Sequence, residues 1–107
     1  MFYIKYKIKK SNIHGLGLFA DENISQGTKI YEENPLLDLL LSKSEFSQLS
    51  ENEKATIRHY GYFDKSKQKW HLAFDDIRFC NHNLNGNITL KKGALAAKRD
   101  VKKGEEL

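Results

Sequence analysis

The sequence predicts a mostly β fold of short strands carrying a small helical insertion, and three observations predict it. Apolar Phe2, Ile4, Tyr6 and Ile8 alternate with Tyr3, Lys5, Lys7 and Lys9, the period of two that buries one face of a strand. Turn residues recur at short intervals, at Asn12 to Gly17, Gly27, Asn34-Pro35 and the Lys-Lys-Gly triplets at 91–93 and 102–104. Helix-start signals are confined to one stretch, where Ser42-Lys-Ser-Glu45 and Ser50-Glu-Asn-Glu53 each place a serine three residues before a glutamate. This pattern speaks against a parallel α/β sheet.

The elements follow in order. The alternating opening is the first strand, with Phe2, Ile4, Tyr6 and Ile8 on its buried face, and Leu18, Phe19 and Ala20 form the second. Thr28 to Glu33 is the third, closed by Asn34-Pro35 because the residue before a proline is driven into an extended conformation. Residues 36–70 form a variable insertion with two short helices. The second helix runs from Glu51 to Arg58 and ends near Gly61, with Leu49, Ala55 and Ile57 as its sparse apolar contribution. Trp70 to Phe74 resumes an extended alternation, and Ile88 to Leu90 and Ala94 to Arg99 add two further strands.

A chain of 107 residues is expected to form one domain, residues 1–107, around a single core. With 39% hydrophobic and 30% charged residues and one proline, it reads as folded rather than disordered or fibrous. The most apolar run, Leu36 to Leu41, is broken by Asp38, so no transmembrane helix is expected. The amino terminus alternates apolar and basic residues instead of building a signal peptide, which predicts an intracellular protein, cytoplasmic or nuclear. A single cysteine, Cys80, excludes an internal disulfide and a thiolate zinc cluster. The net charge of +4 is uneven: residues 1–20 carry four lysines and no acid, residues 91–107 carry six basic and three acidic residues, and the middle is net acidic. The two basic ends are either a solvated surface or, side by side, a patch for nucleic acid or an acidic protein.

Three segments hold candidate chemistry. In Ile13-His-Gly-Leu-Gly-Leu-Phe-Ala20, two glycines one residue apart let a flat polar ligand approach the main chain, although a plain turn has the same composition. The dinucleotide fingerprint does not apply, because its third glycine and following helix are missing. Arg78-Phe-Cys-Asn-His-Asn-Leu-Asn-Gly-Asn87 concentrates four asparagines and a histidine, which serve either the backbone of an irregular loop or a ligand. No metal is expected there, since His82 has no second histidine or cysteine at ligand spacing. Ala94 to Leu107 is a strand of small residues followed by a charged turn and the start of another strand.

The three segments, in this order and spacing, resemble a SET domain, the fold of the largest class of S-adenosylmethionine-dependent protein lysine methyltransferases. Ile13 to Ala20 resembles the family's first motif, Arg78-Phe-Cys-Asn-His82 its Arg-Phe-x-Asn-His signature, Asn87 the asparagine closing that loop, and Val101-Lys-Lys-Gly-Glu-Glu-Leu107 the approach to its last motif. The resemblance covers essentially the whole chain and implies a β-clip fold. It is similar to the compact, single-domain SET proteins of bacteria, archaea and large viruses, which lack flanking zinc-binding modules.

The resemblance implies roles by position. Gly15, Leu16 and Gly17 would hold the methionine part and ribose of S-adenosylmethionine through backbone groups, Asn81 its amino end and His82 its adenine, with Arg78 and Phe79 in the same cofactor-binding motif. Tyr62, twenty residues before His82, matches an active-site tyrosine lining the lysine channel, with Tyr60 as its rival; either is otherwise a core aromatic with a paired hydroxyl. The implied substrate is a lysine of a histone or another basic protein. No membrane partner is implied, nucleic acid enters only through the substrate, and a homodimer is one way to complete the channel. Two departures stand out. Asn83-Leu-Asn-Gly-Asn87 replaces the family's Ser-Cys-x-Pro-Asn, trading a fixed proline angle for glycine. The family's strand after Glu-Glu-Leu, with its catalytic tyrosine, is expected beyond Leu107. The alternatives from other classes are a SET-like module that binds cofactor or peptide without turnover, and a basic nucleic-acid-binding β domain.

Overall fold

The structure, a computed structural model, describes residues 1–81, 86–91 and 94–107. Where length predicts one core, these residues form two compact units: Met1–Glu33 with Phe79–Leu107, and Asn34–Arg78. The reason is local. The insertion is more than helical, carrying a three-stranded sheet and an aromatic cluster of its own.

The first unit contains two small sheets. Strand β1, Tyr6–Lys10, pairs antiparallel with β2, Leu16–Ala20, and strands β3, Lys29–Glu32, β7, Ile88–Lys91, and β8, Ala94–Ala97, form a sheet of order β3-β8-β7. The alternating opening is divided between the two. Phe2 bridges Tyr31 and the Tyr3 amide donates to the Ile30 carbonyl at 2.9 Å, whereas only Tyr6 onward pairs with β2. Ile8, expected on the buried face, is exposed, because among the described strands β1 pairs along one edge with β2 alone. On the other side of β2, the Ala20 amide donates to Glu105 and the Leu107 amide to Leu18, each at 2.8 Å, so residues 105–107 lie along it as a third line of chain. The core of this unit is Leu18, Ala20, Ile24, Ile30, Tyr31, Ala96, Ala97, Val101 and Leu107. The small residues of β8 suit it because that strand lies between two neighbours.

The second unit has strands β4, Leu39–Ser42, β5, Tyr62–Asp64, and β6, Lys69–Leu72, in the order β4-β6-β5, with helices α1, Lys43–Ser47, and α2, Glu51–Tyr60. Both helices start where the serine-glutamate spacing predicts. Ser42 and Ser50 accept from the amides of Glu45 and Glu53, and each glutamate returns a bond to the cap residue's own amide. Those amide bonds hold both carboxyls below the ordinary glutamate range, so this capping is present above that range and fades as pH falls through the lowered values. Of the apolar residues expected from α2, only Ile57 is buried. Phe46 from α1 stacks on Trp70 at 4.5 Å, and Phe63 meets the same indole edge-on at 5.5 Å. Strands β4 and β5 carry no sequence signal as clear as their partner's: β4 comes from the apolar run interrupted by Asp38, and β5 is three residues long. A 3-10 turn, Asp76–Phe79, follows in sequence.

Leu18 is fully buried and Leu36 is 93% exposed. Leu18→Ala is expected to lower stability by about 2–5 kcal/mol, and Leu36→Ala to change it by less than about 0.5 kcal/mol, as read by denaturant unfolding. Equal effects would contradict this placement of the core.

Candidate functional site

In the first unit the glycine loop, Asn81 and Glu106 converge. Gly15 takes a left-handed φ of +48°, with open space where a side chain would begin, and it returns the chain into β2: its carbonyl accepts from the Ser11 amide at 2.7 Å. Leu16 is half exposed, whereas Gly17 is buried in a place with no room for a Cβ, which would overlap the Glu106 carboxylate and come within 3.1 Å of Asn81 Nδ2. That Nδ2 lies 3.0 Å from each of three oxygens: the carbonyls of His14 and Leu16, and Glu106 Oε2. All three accept, so the Asn81 amide must turn its NH2 toward them, and its Oδ1 points the other way.

Glu106 is the centre of this arrangement. Ser11 Oγ donates to its carboxylate, at 2.8 Å from Oε1 and 2.9 Å from Oε2, while accepting from the Ile13 amide at 2.9 Å. The Glu106 carbonyl accepts from Asn87 Nδ2 at 2.8 Å, and Cys80 Sγ donates to the Leu107 carbonyl at 3.5 Å. Asn87 Oδ1 is buried with no hydrogen-bond partner among the described residues. Burial, and secondarily the Glu106 charge, pushes the Cys80 thiol up to about 11.

The structure thus brings Gly15, Leu16, Gly17 and Asn81 together. Phe79 is half-buried in the same unit, at the end of the 3-10 turn, and Arg78, exposed, closes the other unit one residue earlier. His82 and Asn83 to Asn85 lie outside the described residues. Tyr62 belongs to the second unit, where it opens β5 and pairs in register with His71 of β6. The two rings stack with centroids 5.1 Å apart and planes 15° apart, and Tyr62 Oη is 3.3 Å from His71 Nδ1. His71 Nε2 is in turn 2.6 Å from Asp38 Oδ2, and Asp38 Oδ1 accepts from the Phe74 amide at 3.1 Å. The rival, Tyr60, ends α2 with its ring edge against His59.

Sequence reasoning did not select Ser11, Glu106, Asp38 or His71. Asp38 had a visible signal, since an acid inside the run Leu36 to Leu41 needs a partner if it is buried. For Glu106 the signal was weaker: Glu-Glu-Leu marked the approach to a motif, not which glutamate turns inward.

The SET domain family model matches residues 15–107, and the chain belongs to that family. Among solved structures, a Plasmodium falciparum protein assigned as a histone methyltransferase superposes with a TM-score of 0.64 at 20% identity, over 97% of this chain and 90% of that one. A chain of a humanized mutant of the Chaetomium thermophilum Polycomb Repressive Complex 2, bound to the inhibitor GSK126, gives 0.68 at 25% identity over 97% of this chain. A chain of apo ctPRC2 with substitutions in Ezh2 gives 0.73 at 24% identity, again over 97% of this chain. This chain spans 14% of the length of each of the last two. No curated protein sequence matches it significantly. No described helix is long and apolar enough to cross a membrane.

Two outcomes check the first-unit geometry. Gly17→Ala is expected to cost about 1–3 kcal/mol of stability in thermal unfolding, since the Cβ must displace the Asn81–Glu106 contact. Cys80 should resist iodoacetamide at neutral pH and react faster as pH rises toward 11. The unfolded thiol ionises first, so Cys80's contribution to stability is present below about 8.5 and lost as pH rises from there to the folded value. Rapid labelling of the folded protein at pH 7 would contradict that burial.

Proposed function

We propose that this chain is the cofactor-binding and lysine-presenting domain of an S-adenosylmethionine-dependent protein lysine methyltransferase acting on a histone or another basic protein. The observation that carries the reading is the Asn81 amide, whose donor end is committed to the His14 and Leu16 carbonyls and Glu106. What remains is an acceptor, Oδ1, which suits a ligand ammonium and not a carboxylate. The residues fit the cofactor in a second respect: the space at Gly15 is open, so a ligand can approach the loop's main chain. When bound, the sulfonium supplies the methyl group. In this reading Gly15, Leu16, Gly17 and Asn81 hold it, with Arg78, Phe79 and His82 as further members of the motif.

The residues' task is then to present a neutral amine and exclude water. A free lysine has a pKa near 10.4, so exposing its unprotonated form at neutral pH costs roughly 4.6 kcal/mol unless the site lowers that value. An apolar aromatic channel lowers it by desolvation, and a positioned hydroxyl orients the nitrogen without an acid-base pair. Tyr62 is the residue proposed for that role. It is 48% exposed while its hydroxyl is anchored from behind by His71. The SET domain match and the likeness in fold to the Plasmodium falciparum protein support the reaction class.

The test is calorimetric titration with S-adenosylhomocysteine, followed by transfer from methyl-labelled S-adenosylmethionine to histones by the whole protein. Saturable binding that weakens about tenfold or more in Asn81→Ala is expected, from the loss of one hydrogen bond to a charged group. Tyr62→Phe should slow transfer and leave S-adenosylhomocysteine affinity unchanged. Absence of binding and transfer in the whole protein would refute the reading.

A further inference from the structure

Charge is not shared evenly between the two units. Met1–Glu33 with Phe79–Leu107 carry eleven Lys and Arg against seven Asp and Glu, whereas Asn34–Arg78 carry seven of each, so the whole excess of +4 lies in the first unit. Within that unit the fold gathers part of it on one surface. Lys7 and Lys9 of β1 stand opposite Phe19 and Gly17 of β2, and the Asp21 amide donates to the Lys5 carbonyl at 3.0 Å, which carries the pairing one residue further. Lys5, Lys7 and Lys9 therefore share a face, with about 6.8 Å between successive lysines, and all three are exposed. On the other side of Ala20 and Asp21, the Gly104 amide donates to the Ala20 carbonyl at 2.8 Å and the Lys103 amide to Asn23 Oδ1 at 2.9 Å. Exposed Lys102 and Lys103 thus lie beside the same end of the sheet.

The acids around this surface are turned to other groups. Glu22 Oε2 accepts from the Lys5 amide at 2.6 Å; Glu105 accepts from the Lys102 amide and, at 3.1 Å, from Arg99 Nη1; Glu106 is held by Ser11 and Asn81. Lys7 has an ion pair, to Asp21 at 3.6 Å, and Lys9 lies over the Phe19 ring at 4.8 Å, while among the described residues Lys5, Lys102 and Lys103 have no ion pair. Lysines also guard an open strand edge against further pairing, which accounts for those of β1. It does not account for Lys102 and Lys103, which follow Val101 on the opposite side of β2.

We propose that Lys5, Lys7, Lys9, Lys102 and Lys103 form a docking surface for the phosphate backbone of duplex DNA. The kind of side chain selects that partner. Lysines without an arginine among them offer point charges to phosphates and no bidentate fork to a base edge, so the binding is independent of sequence. Among the described residues of β1 and β2, the aromatic ring on this face is Phe19, half-buried and covered by Lys9, so the unstacked bases of a single strand find no platform. Protein partners depend on buried aromatic and arginine anchors, and lysine is depleted where they dock. A basic substrate is repelled by like charge. The surface lies within one unit, and its binding needs neither cofactor nor methyl transfer, so it stands apart from the proposed reaction.

The test is fluorescence anisotropy of a short labelled duplex of random sequence, titrated with the whole protein in the absence of cofactor at salt from about 50 to 200 mM. Saturable binding is expected, with log K falling against log salt at a slope of about −4 to −5, roughly 0.9 for each lysine, a loss of several hundredfold over that range. Lys5→Gln, Lys7→Gln and Lys9→Gln together should weaken binding about tenfold or more at the lowest salt and make the slope shallower by about three. The same change of charge in the other unit, Lys65→Gln, Lys67→Gln and Lys69→Gln, all exposed, should leave affinity within about twofold and the slope unchanged. Thermal unfolding of both variants establishes that each is folded. No saturable binding at the lowest salt would overturn the proposal, as would equal weakening by the two triple variants or a single strand bound more tightly than the duplex. A polyglutamate peptide bound as tightly as the duplex would overturn it too, and would assign the surface to an acidic protein.

Discussion

The carboxylate of Glu106 is the contact on which the irregular parts of the first unit depend. It accepts from Ser11 Oγ and Asn81 Nδ2 at once and fills the space that Gly17 leaves by having no side chain. Hydrogen bonds to a charged acceptor contribute about 1.5–3 kcal/mol each, and removing the acceptor strands two donors in a partly buried place. The same residue's carbonyl holds Asn87, so one position ties together segments as much as 95 residues apart in sequence. Regular strand pairing has no equivalent, because the loop 11–15 and residues 80–81 share no ladder among the described residues.

The second unit solves a similar problem with Asp38. Its two oxygens take the Phe74 amide and the His71 ring, which fixes the exit of β6 and the rotation of a side chain in its middle. The aromatic cluster of Phe46, Phe63 and Trp70 packs apolar surface together, but that attraction is non-directional. Directional bonds decide where Tyr62 Oη sits. Packing sets the stability of the small sheet and the acid sets its geometry.

How much of this the sequence reveals depends on the range over which each feature is determined. The helix starts at Ser42 and Ser50 are legible because three residues contain the whole interaction. The β content is legible because alternation and turns are local, and the glycine pair and Arg78 to His82 are legible as a pattern resembling a family to which the chain does belong. The division of the first strand between two sheets is not legible: Phe2 and Tyr6 look alike until β3 and β2 are in place. Asp38 and His71 lie 33 residues apart, and nothing in either neighbourhood announces the other. At Asn81 a motif states which residue is present but not which end of its amide is already taken.

This last distinction decides how the loop is to be understood. An asparagine free at both ends would bind a carboxylate or an ammonium equally well, and would add little selectivity. Committing Nδ2 to three internal acceptors costs the residue half its capacity and gives it a sign. A half-buried acid, Glu106, makes that commitment together with two main-chain carbonyls. The polarity presented to a ligand is therefore set from behind by residues that need not touch it.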